Sequence, residues 1–463
     1  MDDITATTFR GLPDEAPSPM PVQSLRAAPP RKRRLPSAPP WMALRRLVVI
    51  GAAVALTIEG AHEMYLVFAG NGVTPLAIVM LLLFLALFGW IALSFTSSLA
   101  GFCSLLAGGG RLDIRTDKPL PLLSTRTALL MPTYNEEPAR IFAGLQAIWE
   151  SLHQTGAGEQ FDWFVLSDTT NPDIWIAEEA GFLALRQRTG DHAHIFYRRR
   201  PRNIARKSGN IAEWITRFGA AYQQFLILDA DSLMTGDTLV RLAGAMERHP
   251  DVGLIQTLPI ITGAQTLFAR VQQFASRVYG PLIAHGIAWW HGAEGNYWGH
   301  NAMIRTRAFA ECAGLPELAG RKPFGGPIMS HDFVEAALLR RGGWAVHMVP
   351  GVPGSYEEVP PTLTDLAVRD RRWCQGNLQH AAVLPARGLH PISRLHLLTG
   401  IGSYITAPLW LLFILVGILI AVQARFVQPD YFPQGRSLFP QWPVVDPVRA
   451  MWMFVGTMGL LLV

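Results

Sequence analysis

Cysteine is scarce. There are three in 463 residues, Cys103, Cys312 and Cys374, odd in number and far apart. That spacing excludes a disulfide framework and a Cys-based zinc site, and it suits a reducing compartment. Charge is scarce too: Asp, Glu, Lys and Arg make up 16% of the chain, where ordinary soluble domains carry roughly 25%. Half of the residues are apolar and the mean hydropathy is +0.21, which argues against a wholly soluble enzyme. Several chemical signatures are also missing. No Gly-x4-Gly-Lys-[Ser/Thr] phosphate loop and no Gly-x-Ser-x-Gly elbow occur, and His62-Glu63 has Leu66 where a zinc protease needs its second histidine. The two close carboxylates of a retaining glycosidase would leave the acidic cluster described below without a role. The formal net charge is only +5.

Long apolar runs are what the chain has instead. Residues 1–40 hold nine prolines and no apolar period, which predicts a disordered, Pro-rich arm without the features of a signal peptide. Leu44–Phe68, interrupted by Glu59, His62 and Glu63, and the cleaner Val73–Leu106 each exceed the roughly 20 residues that cross hydrocarbon. Residues 41–107 therefore read as two transmembrane helices. Leu395–Val422 is a third such run, and Met451–Val463 begins a fourth, so 395–463 reads as a transmembrane region cut short in a longer protein. Arg31, Lys32, Arg33, Arg34, Arg45 and Arg46 precede the first run, and no charge follows it at Ala69–Thr74. The positive-inside rule then puts the arm and the block after Gly108 in the cytoplasm. Beside a membrane, the basic run reads as a lipid-surface anchor in preference to a nucleic-acid patch. Intramembrane Glu59, His62 and Glu63 are candidates for pore or packing roles. Gln265–Trp290 spaces Leu267, Val271, Phe274, Val278 and Leu282 along a helix, lying on the membrane or packed on a core.

Between 108 and 394 the pattern changes. Thr127–Met131, Phe161–Ser167, His194–Tyr197, Phe225–Leu228 and Val252–Gln256 alternate with helical segments near 138–152, 173–188, 209–221 and 235–248. Such alternation predicts a doubly wound, mostly parallel α/β sheet, whose ligands gather at the carboxyl ends of its strands. There stand Thr133-Tyr134-Asn135-Glu136, Asp168 and Asp229-Ala230-Asp231. One strand-end carboxylate ordinarily caps a helix. Several at neighbouring ends repel one another unless a cation or a donor-rich ligand lies among them. The two hard oxygen ligands of Asp-x-Asp suit Mg²⁺ or Mn²⁺ bridging a diphosphate. Lys207, at a helix start, is placed to neutralise phosphate, whereas Arg198–Arg200, Arg202 and Arg206 read as a solvated loop. Ser330-His331-Asp332 opens another helical stretch, where capping and catalysis are compatible. Arg369, Arg372 and Trp373 share one helix face that can hold a diphosphate and stack on a sugar.

Taken in order, PTYNEE, the Asp168 strand end, Asp229-x-Asp231, Ser330-His331-Asp332 and the Arg369–Trp373 helix resemble processive family-2 glycosyltransferases. These are inverting enzymes such as cellulose, hyaluronan and chitin synthases, with a cytoplasmic GT-A domain. The resemblance covers about residues 40–463. Those synthases usually have Thr-Glu-Asp and Gln-x-x-Arg-Trp where this chain has Ser330-His331-Asp332 and Arg369-Asp-Arg-Arg372-Trp373. With GNYWGHNAMIR (295–305), RDRRWCQGN and SYEEVPPTL (355–363), the chain is similar to the glucans biosynthesis glucosyltransferase H family.

That resemblance implies a Rossmann-like GT-A domain at 108–394, with amphipathic interface helices, inserted between transmembrane helices of a bacterial inner membrane. It implies a UDP-glucose donor, Mg²⁺ or Mn²⁺, and a growing β-1,2-linked osmoregulated periplasmic glucan as acceptor. The bilayer and other glucan-biosynthesis or periplasmic proteins would be partners, and nucleic acid would not. Uridine is expected near Thr133, Tyr134, Glu136, Asp168 and Lys207, and the cation on Asp229 and Asp231. Arg372 would face the departing diphosphate, Asp332 would be the base, and Trp373 with Arg369 would meet the acceptor, aided by His300 and Asn301. Two alternatives stay open. A transferase loading one sugar onto a lipid carrier would not need the Arg–Trp helix, and a nucleotide-sugar sensor would not need Asp332.

Overall fold

The computed structural model describes residues 11–27, 35–69, 73–108, 112–426 and 447–462. Its strands are β1 Thr127–Thr133, β2 Phe161–Ser167, β3 Ile195–Arg199, β4 Gln224–Ile227, β5 Leu233–Met234, β6 Val252–Thr257, β7 Ile260–Ile261, β8 Ala302–Arg305, β9 Ala345–Val349 and β10 Ser355–Glu357. Its helices are α1 Met42–Ala69, α2 Pro75–Ala107, α3 Pro138–His153, α4 Pro172–Thr189, α5 Arg206–Phe218, α6 Gly236–Arg248, α7 Leu267–His291, α8 Thr306–Cys312, α9 His331–Arg341, α10 Leu363–Val383, α11 Pro391–Phe426 and α12 Pro447–Leu462. Two compact units result. One joins Met1–Pro39, Gly109–Ala284 and His291–Leu398; the other joins Pro40–Gly108, His285–Trp290 and Thr399–Val463.

The first unit is built on a seven-stranded sheet in the order β3-β2-β1-β4-β8-β6-β9. All neighbours are parallel except β8, which runs against both β4 and β6. The predicted parallel α/β sheet is present, and the antiparallel insertion of β8 is a feature that the sequence reading lacked. β1 is apolar on both faces, as a strand covered by helices on both sides must be. Leu129 and Met131 pack with Ile141 of α3 and Leu239 of α6, while Ala128 and Leu130 face Ile211 and Trp214 of α5 and Phe309 of α8. α5 buries Ile211, Trp214, Ile215 and Phe218, the i, i+3, i+4, i+7 stripe of a helix docked on a sheet. Truncating Trp214 to Ala would cost about 3–5 kcal/mol. A smaller sheet, β5-β10-β7, lies in the same unit.

The disordered arm predicted for 1–40 needs correction over its described part. Leu12 and Met20 pack against one core cluster, Leu25 against another, and Leu35 and Ala38 against a third. The backbone is fastened as well. Ala16 N–H donates to Arg217 O at 2.8 Å, Ala220 N–H to Ala16 O at 3.0 Å, and Gln23 N–H to Gly314 O at 2.8 Å. Proline reduces the entropy lost when an extended segment is ordered, so a chain without helix or strand can still dock. The basic run Arg31–Arg34 lies outside the described residues.

In the second unit, α1 and α2 pack through Ala53, Phe84, Phe88 and Ala92. Thr74 caps α2 by accepting from Ala77 N–H at 3.2 Å, with Pro75 in the first turn where its missing N–H costs nothing. Among the described residues, Pro75–Ala107 and Pro391–Gln423 are long and apolar enough to cross a membrane, with mean hydropathies of 2.9 and 2.7. α1, which carries Glu59, His62 and Glu63, and the 16-residue α12 are not in that pair. Glu63 has a partner in Arg449, 3.5 Å away. Leu267, Val271, Phe274 and Val278 of α7 are exposed, so that stripe is not packed into a core.

Candidate active site

The ends of β1, β2 and β3 are tied together from below by a buried carboxylate. Glu178 of α4 accepts hydrogen bonds from Thr133 Oγ1 at 3.1 Å, Ser167 Oγ at 2.6 Å, Thr169 Oγ1 at 2.8 Å and Tyr197 OH at 3.0 Å. Burial pushes the Tyr197 phenol up, which keeps its proton available for that bond. Thr133, expected at the uridine, is thus turned inward, because it shares a strand face with Leu129 and Met131. Tyr134 and Glu136 are exposed at the same loop. Asn135, at φ +54°, accepts from the N–H groups of Thr170 at 3.2 Å and Asn171 at 3.1 Å and so joins the two strand-end loops. Asp168 receives both arms of Arg200, each at 2.6 Å. Arg200 is only 10% exposed, and Arg198, at 5%, lies in β3 and pairs with Glu213 at 2.9 Å, so the solvated loop expected for their stretch is corrected at both residues.

The Asp-x-Asp pair follows β4. Lys207 donates to Asp229 and also to Gly299 O at 2.8 Å. Burial would raise the Asp229 carboxyl, but Lys207, His300 and Arg369 outweigh it and hold the group down at about 2. Asp231 and Glu136 go the other way. Loss of surrounding water raises each, only in part for Glu136 with its solvent-facing side, and neighbouring carboxylates raise them further: Asp229 acts on Asp231, and Asp231 and Asp229 act on Glu136. Arg369 Nη2 stands 3.7 Å from Asp231 Oδ2. His300 bridges Glu357 at 3.2 Å and Ser232 Oγ at 3.5 Å. Burial lowers its pKa, yet Asp229 and Glu357 carry the balance upward. Asn301 is fully buried, and its Nδ2 donates to Ser355 Oγ at 2.9 Å and Tyr356 O at 3.1 Å. Those bonds pin the small sheet and take Asn301 away from the acceptor contact expected of it.

Asp332 lies across Gly299 from this pair. Gly299 has φ +94°, and a Cβ built on it would sit 3.4 Å from Asp332 Oδ2. Its carbonyl also accepts from Tyr297 OH at 2.8 Å. Among the described residues no hydrogen bond or ion pair engages the Asp332 carboxylate, although its neighbour His331 pairs with Glu335 at 3.0 Å. The start of α9 is held by α10. Gly376 is flush against Ser330, where a side chain would collide. His380 Nε2–H donates to Ser330 O at 2.9 Å, and Gln379 Oε1 accepts from Met329 N–H at 2.9 Å. These three positioning residues escaped the sequence reading. Their i, i+3, i+4 spacing, one turn beyond the Arg–Trp face, was the available signal. On that face Arg369 stacks 5.3 Å over the Trp373 ring, and burial and then nearby Arg206 and Arg369 lower the Arg372 pKa. Asp229, Asp231, Glu136, Lys207, His300, Arg369 and Arg372 are therefore mutual neighbours.

No group of three or more His, Cys, Asp or Glu side chains among the described residues is arranged to cage a metal. The donor set is the two hard carboxylates of Asp229 and Asp231. That set fits a divalent cation which takes its remaining ligands from water and a diphosphate.

Comparison with known proteins agrees with this arrangement. The model of glycosyl transferase family 2 matches residues 128–312, and that of glycosyl transferase family group 2 matches residues 224–462. The mannosyltransferase PcManGT from Pyrobaculum calidifontis, solved in complex with GDP-Man and Mn²⁺, is 15% identical. It superposes with a TM-score of 0.50 over 83% of this chain and 96% of its own, a likeness of fold. Sheet order and family match together define a family-2 glycosyltransferase of GT-A fold.

The relatives narrow this further. A glucans biosynthesis glucosyltransferase H from Rhodopseudomonas palustris (strain BisA53) is 63% identical over 99% of this chain and 64% of its own length. One from Bradyrhizobium diazoefficiens is 60% identical over 99% and 61%, and one from Xylella fastidiosa (strain 9a5c) 57% identical over 97% and 71%. The chain spans less than two thirds of the first two. It belongs to the glucans biosynthesis glucosyltransferase H family.

Proposed function

We propose that this chain carries the catalytic part of a membrane-embedded, inverting glucosyltransferase. It would polymerise glucose from UDP-glucose into the β-1,2-linked backbone of osmoregulated periplasmic glucans and pass the product across a bacterial inner membrane. One observation carries the reading: the cation-paired Asp-x-Asp at the sheet edge stands across Gly299 from an unengaged Asp332. Nucleotide-sugar and Mn²⁺ binding by the similarly folded mannosyltransferase supports the donor class, the names of the relatives support glucan synthesis, and the two long apolar helices support membrane insertion.

In this reading the uridine lies along Tyr134, Glu136 and the Asp168–Arg200 pair, on the floor that Glu178 and Thr133 hold. Asp229 and Asp231 would hold Mg²⁺ or Mn²⁺, which would supply charge neutralisation to a diphosphate leaving group. Lys207 and Arg372 add fixed positive charge where negative charge develops on the departing UDP. Asp332 takes the proton from the acceptor hydroxyl as its oxygen bonds to C1 of glucose. The C1–phosphate bond breaks on the opposite side, and UDP leaves with the electron pair. One displacement turns an α-linked donor into a β-glucoside. Trp373 supports the acceptor sugar, with His300 held by Glu357 near Asp229.

The test is incubation of membranes bearing the full-length protein with radiolabelled UDP-glucose and Mg²⁺. Label in a β-1,2-glucan supports the proposal. Label confined to a solvent-extractable lipid overturns it in favour of loading a lipid carrier, and UDP-glucose bound without transfer overturns it in favour of a sensor. Glucan accumulating only on the donor side of sealed vesicles would remove the translocation step.

A further inference from the structure

The two carboxylates of Asp229-x-Asp231 are neutralised unequally. Asp229 is locked. Its cation, Lys207, is itself anchored by a second bond to the Gly299 carbonyl at 2.8 Å. Asp231 is held loosely. Its cation is the Arg369 guanidinium, at 3.7 Å, which is beyond hydrogen-bond length. That guanidinium divides itself between Asp231 and the Trp373 ring, 5.3 Å away; both ion pairs are about a quarter to a third exposed, so the difference lies in contact and anchoring and not in burial. A divalent cation entering the site must therefore meet Arg369 at Asp231, whereas Lys207 is not readily displaced from Asp229.

We infer that Arg369 is the resident counter-cation of Asp231, and that a divalent metal displaces it on binding. This rests on the metal-dependent reading proposed above. Cations on one carboxylate repel one another, so the loosely held Arg369 yields Asp231 to a metal, whereas Lys207 engages Oδ1 of Asp229 and leaves Oδ2 for it. Once released, Arg369 stays on the α10 face that carries Arg372, where planar guanidinium donors suit diphosphate oxygens. Metal entry then delivers a second guanidinium to the donor. The same side chain disfavours the bare metal and favours the metal–nucleotide pair, which makes the order of loading a property of Arg369.

The experiment measures Mn²⁺ binding to the full-length protein in detergent, by titration of the free-ion electron spin resonance signal, with and without UDP. Arg369→Gln is expected to bind Mn²⁺ alone roughly 1.5–5-fold more tightly than wild type, the range of a partly exposed ion pair. With UDP present the order reverses, and the variant binds more weakly. Arg369→Lys keeps the charge and stays close to wild type with Mn²⁺ alone. In the Asp231→Asn background, adding Arg369→Gln brings no gain over Asp231→Asn alone, which ties the effect to Asp231 and not to refolding of α10. If Arg369→Gln binds Mn²⁺ alone no more tightly than wild type, while wild type still binds Mn²⁺ with UDP, the inference fails and the metal-dependent reading stands. If wild type binds no Mn²⁺ even with UDP, both fall.

Discussion

At the edge of the sheet Asp168, Asp229 and Asp231 each face a cation, Arg200, Lys207 and Arg369 respectively. Across Gly299, at the start of α9, the carboxylate of Asp332 accepts no hydrogen bond and makes no ion pair among the described residues. The two regions are a few side chains apart and use the same functional group for opposite ends. A carboxylate locked to a cation holds its charge and its position, which suits it to ligands and metals. A carboxylate left open can receive a proton from an incoming hydroxyl. Residue type does not separate these roles. The difference comes from which helix supplies a cation, since α5 and α10 send Lys207 and Arg369 to the sheet edge while α10 meets the start of α9 with Gly376, Asn377, Gln379 and His380.

Removing the open carboxylate should break the comparison most sharply. Asp332→Asn is expected to lower the rate of sugar transfer about 10²–10⁴-fold, with UDP binding by calorimetry unchanged. Next comes Asp229→Asn, which leaves Lys207 without its carboxylate. A loss of about 10²–10³ in transfer is expected there, accompanied by weaker Mn²⁺ binding, a pairing that Asp332→Asn should not show. A smaller effect follows at the floor of the donor side. Glu178→Gln replaces an acceptor of four hydroxyl donors and should cost about 1–3 kcal/mol in denaturant unfolding. In steady-state kinetics it should raise the KM for UDP-glucose while leaving kcat nearly unchanged.

The smallest expected effect is a pH dependence beside Asp332. Burial lowers the His331 pKa, but Glu335 and Asp332 outweigh it, and the net shift is upward. A folded-state value above the free value of about 6.5 means that protonated His331 stabilises the fold below that pH. The contribution is lost as pH rises through the raised value. Thermal unfolding of wild type should therefore fall by about 1–3 °C over that window, and His331→Gln should lack the fall.

Much of this architecture is legible in the sequence because β1, β2 and β4 carry the apolar runs Ala128–Met131, Trp163–Leu166 and Phe225–Ile227, each followed within a few residues by polar ones. A strand covered on both faces leaves that trace, and its strand-end carboxylates announce themselves. β8 leaves almost none, being four residues long and antiparallel between two parallel strands. Thr133 was legible in principle, since alternation puts it on the face of Leu129 and Met131. The partners of the carboxylates were not, because pairing of Asp168 with Arg200 depends on β2 and β3 lying side by side. Asn301 and Ser355 meet only when the small sheet closes on the large one. The described arm escaped for a related reason. Leu12, Met20 and Leu25 dock on surfaces formed by other segments and therefore carry no period of their own.

The central claim is a single displacement with Asp332 as its base, and the configuration of the bond formed tests it most directly. Glucan made from UDP-glucose by membranes bearing the full-length protein can be isolated and its anomeric configuration read by proton NMR. The account predicts β-glucosidic bonds, inverted from the α-linked donor. An α-linked product would require a second nucleophile on the enzyme and would contradict it.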